Sequence, residues 1–339
     1  MTGTPESFDV YALGSSVVTL SVRVRHEDVE ALGLSGVGMA QVSSERLARV
    51  RTSLGRKPML RSAGGSAENT VAGIAQMGGA AAYAGGLGLD EDGRLCRESL
   101  DRLGVRQTAA PKPGPTGLCL ILVTPDGERT MLTHLGVSGR LVPDDVSVEL
   151  VAASRWLYVE GFLFASAVAR ETVAGALDAA AAAGTPVALS LSARSIVERH
   201  RPELARVVEG HVDLVLANEA EAEAFTGQGE PRAAIEALAA RSPAALVTRG
   251  DRGCLVASDG EVRSVGARRV RPVDLTGAGD LCAAGVLYAL ARGRSLPEGA
   301  DLGCRLAARV IQRLGPRLED RPEDSARREP AAHGAITIP

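Results

Sequence analysis

The feature that most restricts this chain is an alternation that begins near residue 155, where short apolar runs and helical patterns follow one another to about residue 315. Strands separated by helices cannot pair as hairpins. Each must cross over to its neighbour, which produces βαβ units and a parallel sheet covered on both faces. WLYVEGFLF reads as a strand end, Ser166 to Ala183 as an Ala-rich helix closed by Gly184, and VALSLS after Pro186 as the next strand. HVDLVLAN, EAEAFTG, PRAAIEALAARS, AALVTRG and GCLVAS continue as a strand, a short helix, a longer helix and two close strands. Two helices end the series, one from near Gly277 through LCAAGVLYALARG and one over LPEGADLGCRLAARVIQRLG to Gly315.

The first third is patterned differently. FDVYALG predicts a buried strand, SVRVR and VGMAQV short strands, GSAENTVAGIAQMGG a helix and AAYAGGLG a strand. After the break at PKPGPTG, the stretch TGLCLILVTPDGERTMLTHL predicts a hairpin turning at Pro125-Asp126-Gly127. The expectation is an α/β three-layer sandwich with a mostly parallel central sheet. It would occupy residues 1–317 and carry a small β-sheet lid assembled from about 18–45 and 115–136. Residues 318–339 lack an apolar period and are expected to form a flexible tail.

Composition narrows the partners. Hydrophobic residues at 45% and charged residues at 23% suit a soluble core, and no uncharged apolar run reaches the ~18 residues of a membrane span. A net charge of −3 advertises neither nucleic acid nor an anionic membrane, which leaves a small-molecule substrate. Cys96, Cys119, Cys254, Cys282 and Cys304 are scattered and form no C-x-x-C pair, so neither a disulfide framework nor a zinc site is supported. A cytoplasmic protein is expected, with residue 1 as its mature start, because MTGTPESFDVYALG lacks the basic and apolar segments of a secretory signal.

Four stretches carry chemistry. Asp274-Leu275-Thr276-Gly277-Ala278-Gly279-Asp280 runs into an apolar helix. Its small residues let backbone N–H groups approach an anion at a helix N-terminus, where the macrodipole also favours negative charge. Asp280 in the first helical turn is placed to accept a proton from an attacking hydroxyl, although Asp is also an ordinary helix-start residue. Gly64-Gly65-Ser66-Ala67-Glu68-Asn69 opens another helix, and Ser66 and Asn69 offer hydrogen bonds suited to a polyhydroxylated substrate; a plain N-cap at Ser66 explains much of the same pattern. Glu68 reads as a solvated first-turn residue, an encounter with a substrate amine being the other reading. Asn218 and Glu221, spaced N-x-x-E after a strand, suit Mg²⁺ and its waters. Thr248-Arg249-Gly250 with Gly253 forms a further loop at a strand end whose backbone is free to face a nucleotide.

In this order the four signals resemble the ribokinase-like (PfkB) family of sugar and nucleoside kinases over nearly the whole chain. TGLCLILVTPDGERTML, LYVEGFLF, SIVERHRPEL and CRLAARVIQRLGPRL look most like its adenosine-kinase-type branch. The resemblance implies phosphorylation of a primary hydroxyl by ATP with Mg²⁺. It makes Asp280 the base, Gly277, Ala278 and Gly279 the anion hole, and Arg129 the cation that closes over the transferring group. Gly65, Ser66 and Asn69 would bind the sugar, Asn218 and Glu221 would organise phosphate and Mg²⁺, and Thr248, Gly250 and Gly253 would line the ATP site. Whether a monovalent cation near Asp274 is needed is left open, as is the choice between a monomer and a homodimer joined through the lid sheet.

One departure from the branch stands out. Gly14-Ser15-Ser16-Val17-Val18-Thr19 replaces a G-N-x-x-x-D-like segment, so Ser15 and Thr19 stand where ribose would meet an amide and a carboxylate. A carboxylate accepts two hydroxyls at once, and its loss removes about 1–3 kcal/mol of charge-assisted bonding unless a water or another group compensates. Aromatic residues are only 3%, which makes Phe162 and Phe164 candidates for stacking on a nucleobase, with core packing the competing role. A P-loop kinase is excluded because neither lysine, Lys57 nor Lys112, lies in G-x-x-x-x-G-K-[ST]. Gly86-x-Gly88 lacks the spacing of a dinucleotide fold. A non-catalytic ligand-binding regulator is the alternative of a different class, with Asp280 and its anion hole against it.

Overall fold

The computed structural model describes residues 7–36 and 38–318. The tail expectation for 319–339 therefore lies outside the described residues. The chain opens with β1 (Val10–Ser15) and, after a break at Ser16, β2 (Val17–Arg23). There follow α1 (His26–Ala31), β3 (Met39–Gln41), α2 (Ser44–Ser53) and β4 (Met59–Gly64). Next come α3 (Ser66–Gln76), β5 (Ala81–Gly86), α4 (Glu91–Asp101) and β6 (Arg106–Gln107), then the hairpin β7 (Gly117–Val123) and β8 (Arg129–His134). The regular alternation runs through α5 (Val148–Ala152), β9 (Leu157–Glu160), α6 (Ala167–Ala183), β10 (Val187–Ser190), α7 (Arg194–His211), β11 (Leu214–Asn218), α8 (Glu219–Thr226) and α9 (Pro231–Ala239). It closes with β12 (Ala244–Thr248), β13 (Cys254–Ser258), β14 (Glu261–Val265), α10 (Ala278–Leu290) and α11 (Leu296–Val310).

The large sheet has the order β14-β13-β12-β11-β10-β9-β1-β5-β6, parallel except for the antiparallel pairs that add β13 and β14. Every residue of β1 and β5 is buried, as strands covered on both faces require. Side chains of β1 alternate between two cores: Tyr11 and Leu13 join α6, α7, α8 and α9, while Val10 and Ala12 join α3, α10 and α11. This is the three-layer α/β sandwich that the alternation predicts. Strand order reverses at β1, which pairs with β5 on one flank and β9 on the other. Clefts at the carboxyl ends of such strands are where open α/β sheets bind ligands.

The second sheet has the order β3-β8-β7-β2-β4. It takes β4 from 59–64 in addition to the two stretches named from sequence, and α1 and α2 pack on one face through Val29, Leu47 and Val50. Its other face carries Val17, Cys119, Ile121 and Val123, against which Leu314 packs from beyond α11. Helix α11 ends at Val310 rather than Gly315 because the chain turns back, and the Ile311 carbonyl accepts the Val273 N–H at 2.7 Å. α7 bends at His200, next to the Pro202 that interrupts its sequence pattern.

Candidate active site

The starts of α3 and α10 meet beyond the carboxyl ends of β1 and β9, where a sheet of this kind places its ligand cleft. Ser66 and Asn69 lie three apart in the first turn of α3, hence on one face, and both reach across to Asp280 in the first turn of α10. Ser66 Oγ donates to Asp280 Oδ1 and Asn69 Nδ2 donates to Oδ2, each at 2.8 Å. Thr70 Oγ1 lies 3.2 Å from the Asp280 carbonyl and ties the two helix starts together. Gly277 caps α10 at φ +83°, where an added Cβ would overlap the Pro316 carbonyl, so the loop and the segment after α11 are in backbone contact. Of the first-turn N–H groups of α10, that of Ala278 donates to the Leu275 carbonyl at 3.3 Å, and a helix start of this kind offers its remaining N–H groups to an anion.

Desolvation pushes the Asp280 carboxyl above its usual range, opposed by the bonds from Asn69 and Ser66 and by the Arg129 and Arg317 guanidinium groups. A carboxylate raised in this way is the stronger proton acceptor, as a general base requires. Arg129, on β8 of the second sheet, donates from Nη1 to the Leu275 carbonyl at 2.9 Å, so the hairpin reaches the Asp274–Asp280 loop. Both oxygens of Asp274 serve the backbone and Thr276: Oδ1 accepts from the N–H and hydroxyl of Thr276, and Oδ2 accepts the Gly315 N–H.

Beneath this lies a second carboxylate that the sequence reading missed. Glu160, at the carboxyl end of β9, is fully buried and accepts the Ser15 N–H at 2.6 Å and the Ala67 N–H at 2.9 Å. It locks the end of β1 to the start of α3. Burial pushes it up to about 7 despite those bonds, and the Asp280 charge adds to the rise. Gly65 sits above it at φ +114°, and an added Cβ would overlap the Ser15 carbonyl oxygen. Ser15 and Thr19 are both buried, 5% and 4% exposed, and Ser15 is engaged through its backbone.

On the other flank, Asn218 and Glu221 form a capping box on α8. Glu221 N–H donates to Asn218 Oδ1 at 2.9 Å, while Asn218 donates from its backbone and Nδ2 to the two Glu221 oxygens at 3.0 and 2.6 Å. Glu221 is 6% exposed and burial pushes it up to about 7. Among the described residues no group of three or more His, Cys, Asp or Glu is placed to hold a metal. One carboxylate with one amide, as Glu221 and Asn218 provide here, fits a Mg²⁺ ion that arrives on nucleotide phosphates and is reached through its waters. Thr248 ends β12, and a short 3₁₀ turn over Gly250–Arg252 follows, tied by the Arg249 N–H to the Gly253 carbonyl at 2.7 Å.

Comparison with known proteins decides what this cleft belongs to. The family model described as pfkB family carbohydrate kinase matches residues 40–323. The chain belongs to that family. Adenosine kinase of Saccharomyces cerevisiae is 31% identical over 275 residues, spanning 75% of this chain and 79% of that protein. Two solved structures superpose with a TM-score of 0.91: a probable sugar kinase from Rhizobium etli, 35% identical over 95% of this chain and 98% of its own, and adenosine kinase from Sinorhizobium meliloti, 36% identical over 95% and 99%. The chain is an ATP-dependent kinase of the pfkB family with the ribokinase-like fold, similar to the adenosine-kinase-type branch. Among the described residues no helix is long and apolar enough to cross a membrane.

Within this kinase the structure brings Ser66, Asn69, Gly277, Ala278, Gly279, Asp280 and the Arg129 hairpin to one place, and sets Asn218, Glu221, Thr248, Gly250 and Gly253 along the carboxyl edge of β11 and β12. Phe164 is 2% exposed in the core, so packing claims it, while Phe162 is only partly buried against the same core. Glu68 corrects the sequence reading: it is fully buried, and its Oε1 accepts from Arg317 Nη2 at 2.6 Å. A first-turn position is solvated only if nothing docks over it, and here the segment after α11 does. Arg317 was not singled out from sequence; the signal available was Glu68 as the one charged residue in the otherwise uncharged α3.

Proposed function

We propose that this kinase transfers the γ-phosphoryl group of ATP to a primary hydroxyl of a nucleoside, with Asp280 as the base. The observation that carries the reading is the Asp280 carboxylate, raised in basicity and held by Ser66 and Asn69 at the N-terminus of α10. The acceptor hydroxyl gives its proton to Asp280. Its oxygen bonds to the γ-phosphorus as the bond to the bridging oxygen breaks, and ADP leaves. The helix N-terminus at Gly277, Ala278 and Gly279, with Arg129, meets the charge that spreads over the transferring oxygens. Gly65, Ser66 and Asn69 contact the sugar, with Ser15, Thr19 and Phe162 at its margin, while Thr248, Gly250 and Gly253 face the nucleotide. Mg²⁺ bound with ATP supplies charge neutralisation at the phosphates, and Asn218 and Glu221 are the residues that would hold its waters. The second sheet excludes water over the acceptor, which limits ATP hydrolysis.

A free sugar or a specialised nucleoside as acceptor is the second reading. It is favoured by Ser15 and Thr19 standing in place of an amide and a carboxylate, and by similarity to the probable sugar kinase. Incubating the protein with Mg²⁺, ATP and separate purine nucleosides, pyrimidine nucleosides and free sugars, with products read by mass spectrometry, separates the two. A nucleoside monophosphate is the expected product. A sugar phosphate with no nucleotide product overturns the nucleoside assignment.

A further inference from the structure

We propose that Arg317 is a positioning residue of this kinase: from the segment that follows α11, its guanidinium aims the Asn69 amide at Asp280. The inference rests on the reading of Asp280 as the base.

An asparagine amide has two ends of nearly equal size and opposite hydrogen-bonding sense. Turned one way, Asn69 gives Nδ2 to the Asp280 carboxylate; turned the other way, it would set a carbonyl oxygen against that negative charge. Arg317 Nε donates to Asn69 Oδ1 at 2.9 Å. A guanidinium has donors only, so this contact accepts the carbonyl end alone and leaves Nδ2 for Asp280 at 2.8 Å. One planar group thus fixes the sense of the amide.

Arg317 is itself held from two further sides. Nη2 donates to Glu68 Oε1 and Nη1 donates to Ser99 Oγ, both at 2.6 Å. Glu68 has no solvent exposure, and its Oε2 is buried without a hydrogen-bond partner. Burying a carboxylate so incompletely satisfied is costly and is sustained by the adjacent guanidinium. Three contacts in three directions from one plane need the arginine fork, which a lysine ammonium on a flexible stem does not reproduce. The backbone around Arg317 is pinned as well: Gly315 N–H donates to Asp274 Oδ2 at 2.9 Å, and Gln76 Nε2 donates to the Leu318 carbonyl at 2.6 Å. The start of α3, the loop before α10 and the chain after α11 are therefore joined at the side chain that orients Asn69.

A double-mutant cycle tests this, with Arg317→Met, Asn69→Ala, the pair and Asp280→Asn assayed on adenosine with ATP and Mg²⁺, or on D-ribose if the acceptor proves to be a sugar. Arg317→Met alone is expected to lower kcat by about tenfold to hundredfold, the scale of an acceptor or base displaced by a fraction of an ångström to an ångström, with KM for ATP unchanged. In the Asn69→Ala background the same substitution is expected to cost less than about threefold, because the group it acts through is gone. Arg317→Lys is expected not to rescue. An equal loss from Arg317→Met in both backgrounds, or full activity in Arg317→Lys, overturns the inference. If Arg317→Met fails to fold, Arg317→Lys carries the same cycle, since its one ammonium cannot serve Asn69, Glu68 and Ser99 together. Full activity in Asp280→Asn would instead remove the base reading, a separate result from an additive cycle with inactive Asp280→Asn.

Discussion

The two flanks of the cleft are built to different standards. On the flank proposed for the acceptor, Glu68, Asn69, Thr70 and Glu160 are 3% exposed or less, and hydrogen bonds from these four residues reach β1, α10 and Arg317. On the flank proposed for the nucleotide, Asn218 is exposed, the turn over Gly250–Arg252 buries no residue, and Arg252 pairs with Glu219 at the surface. A developing charge is stabilised most by dipoles that need not reorganise, so the rigid flank belongs where the proton moves. A flank made of a strand end, a helix cap and a glycine turn offers backbone to a ligand that brings its own charges and metal.

Substitutions at two glycines sharpen that contrast, beginning with the larger effect. Gly65→Ala places a methyl group on the Ser15 carbonyl at φ +114° and forces β1 and α3 apart. The expected loss is about 3 kcal/mol in denaturant unfolding, with activity on the acceptor abolished. A loss below about 1 kcal/mol would show the acceptor flank to be more pliable than its contacts indicate.

A pH effect of intermediate size follows from the buried acids. Glu160 and Glu221 are both raised to about 7, and Glu68 and Asp280 are raised in the same direction, all chiefly by desolvation. Glu160 and Glu221 hold protons in the folded chain that the unfolded chain releases near 4.5, so their contribution is full below about 4.5 and is lost as pH rises through about 7. Unfolding free energy is expected to fall across that window, and Glu160→Gln to flatten the slope. A slope that Glu160→Gln leaves unchanged would mean that Glu160 is already ionised at pH 5.

The smallest effect belongs to the nucleotide flank. Gly250→Ala meets no atom within 4 Å, so only the strain of φ +58° remains, about 1 kcal/mol, with KM for ATP changed by less than threefold. A loss matching that of Gly65→Ala would erase the difference between the flanks.

The same two flanks explain what was legible in the sequence. Parallel strands buried on both faces read as apolar runs, and Ser166 with Gly184 marks the ends of α6, so the order from β9 to β13 could be read directly. The helices α2 and α4 could not, because SERLARVRTS and EDGRLCRESLD bury only a few residues each and carry charge throughout. Asn218-x-x-Glu221 was legible as a pattern, yet its hydrogen bonds are those of a helix cap. The tie between Arg317 and Glu68 spans 249 positions and has no local signature; only the docking of the chain after α11 brings them together. Glu160 was hidden for a related reason, since a carboxylate at a strand end looks solvated until the backbone amides of Ser15 and Ala67 close on it.

The most direct test of the account is Asp280→Asn, assayed for phosphorylated product by mass spectrometry beside ATP binding measured by calorimetry. Asparagine keeps the shape and removes the proton acceptor, so kcat is expected to fall about 10³-fold while ATP affinity stays within about threefold of the unaltered protein. Product formed at the unaltered rate would contradict the assignment of Asp280 as the base.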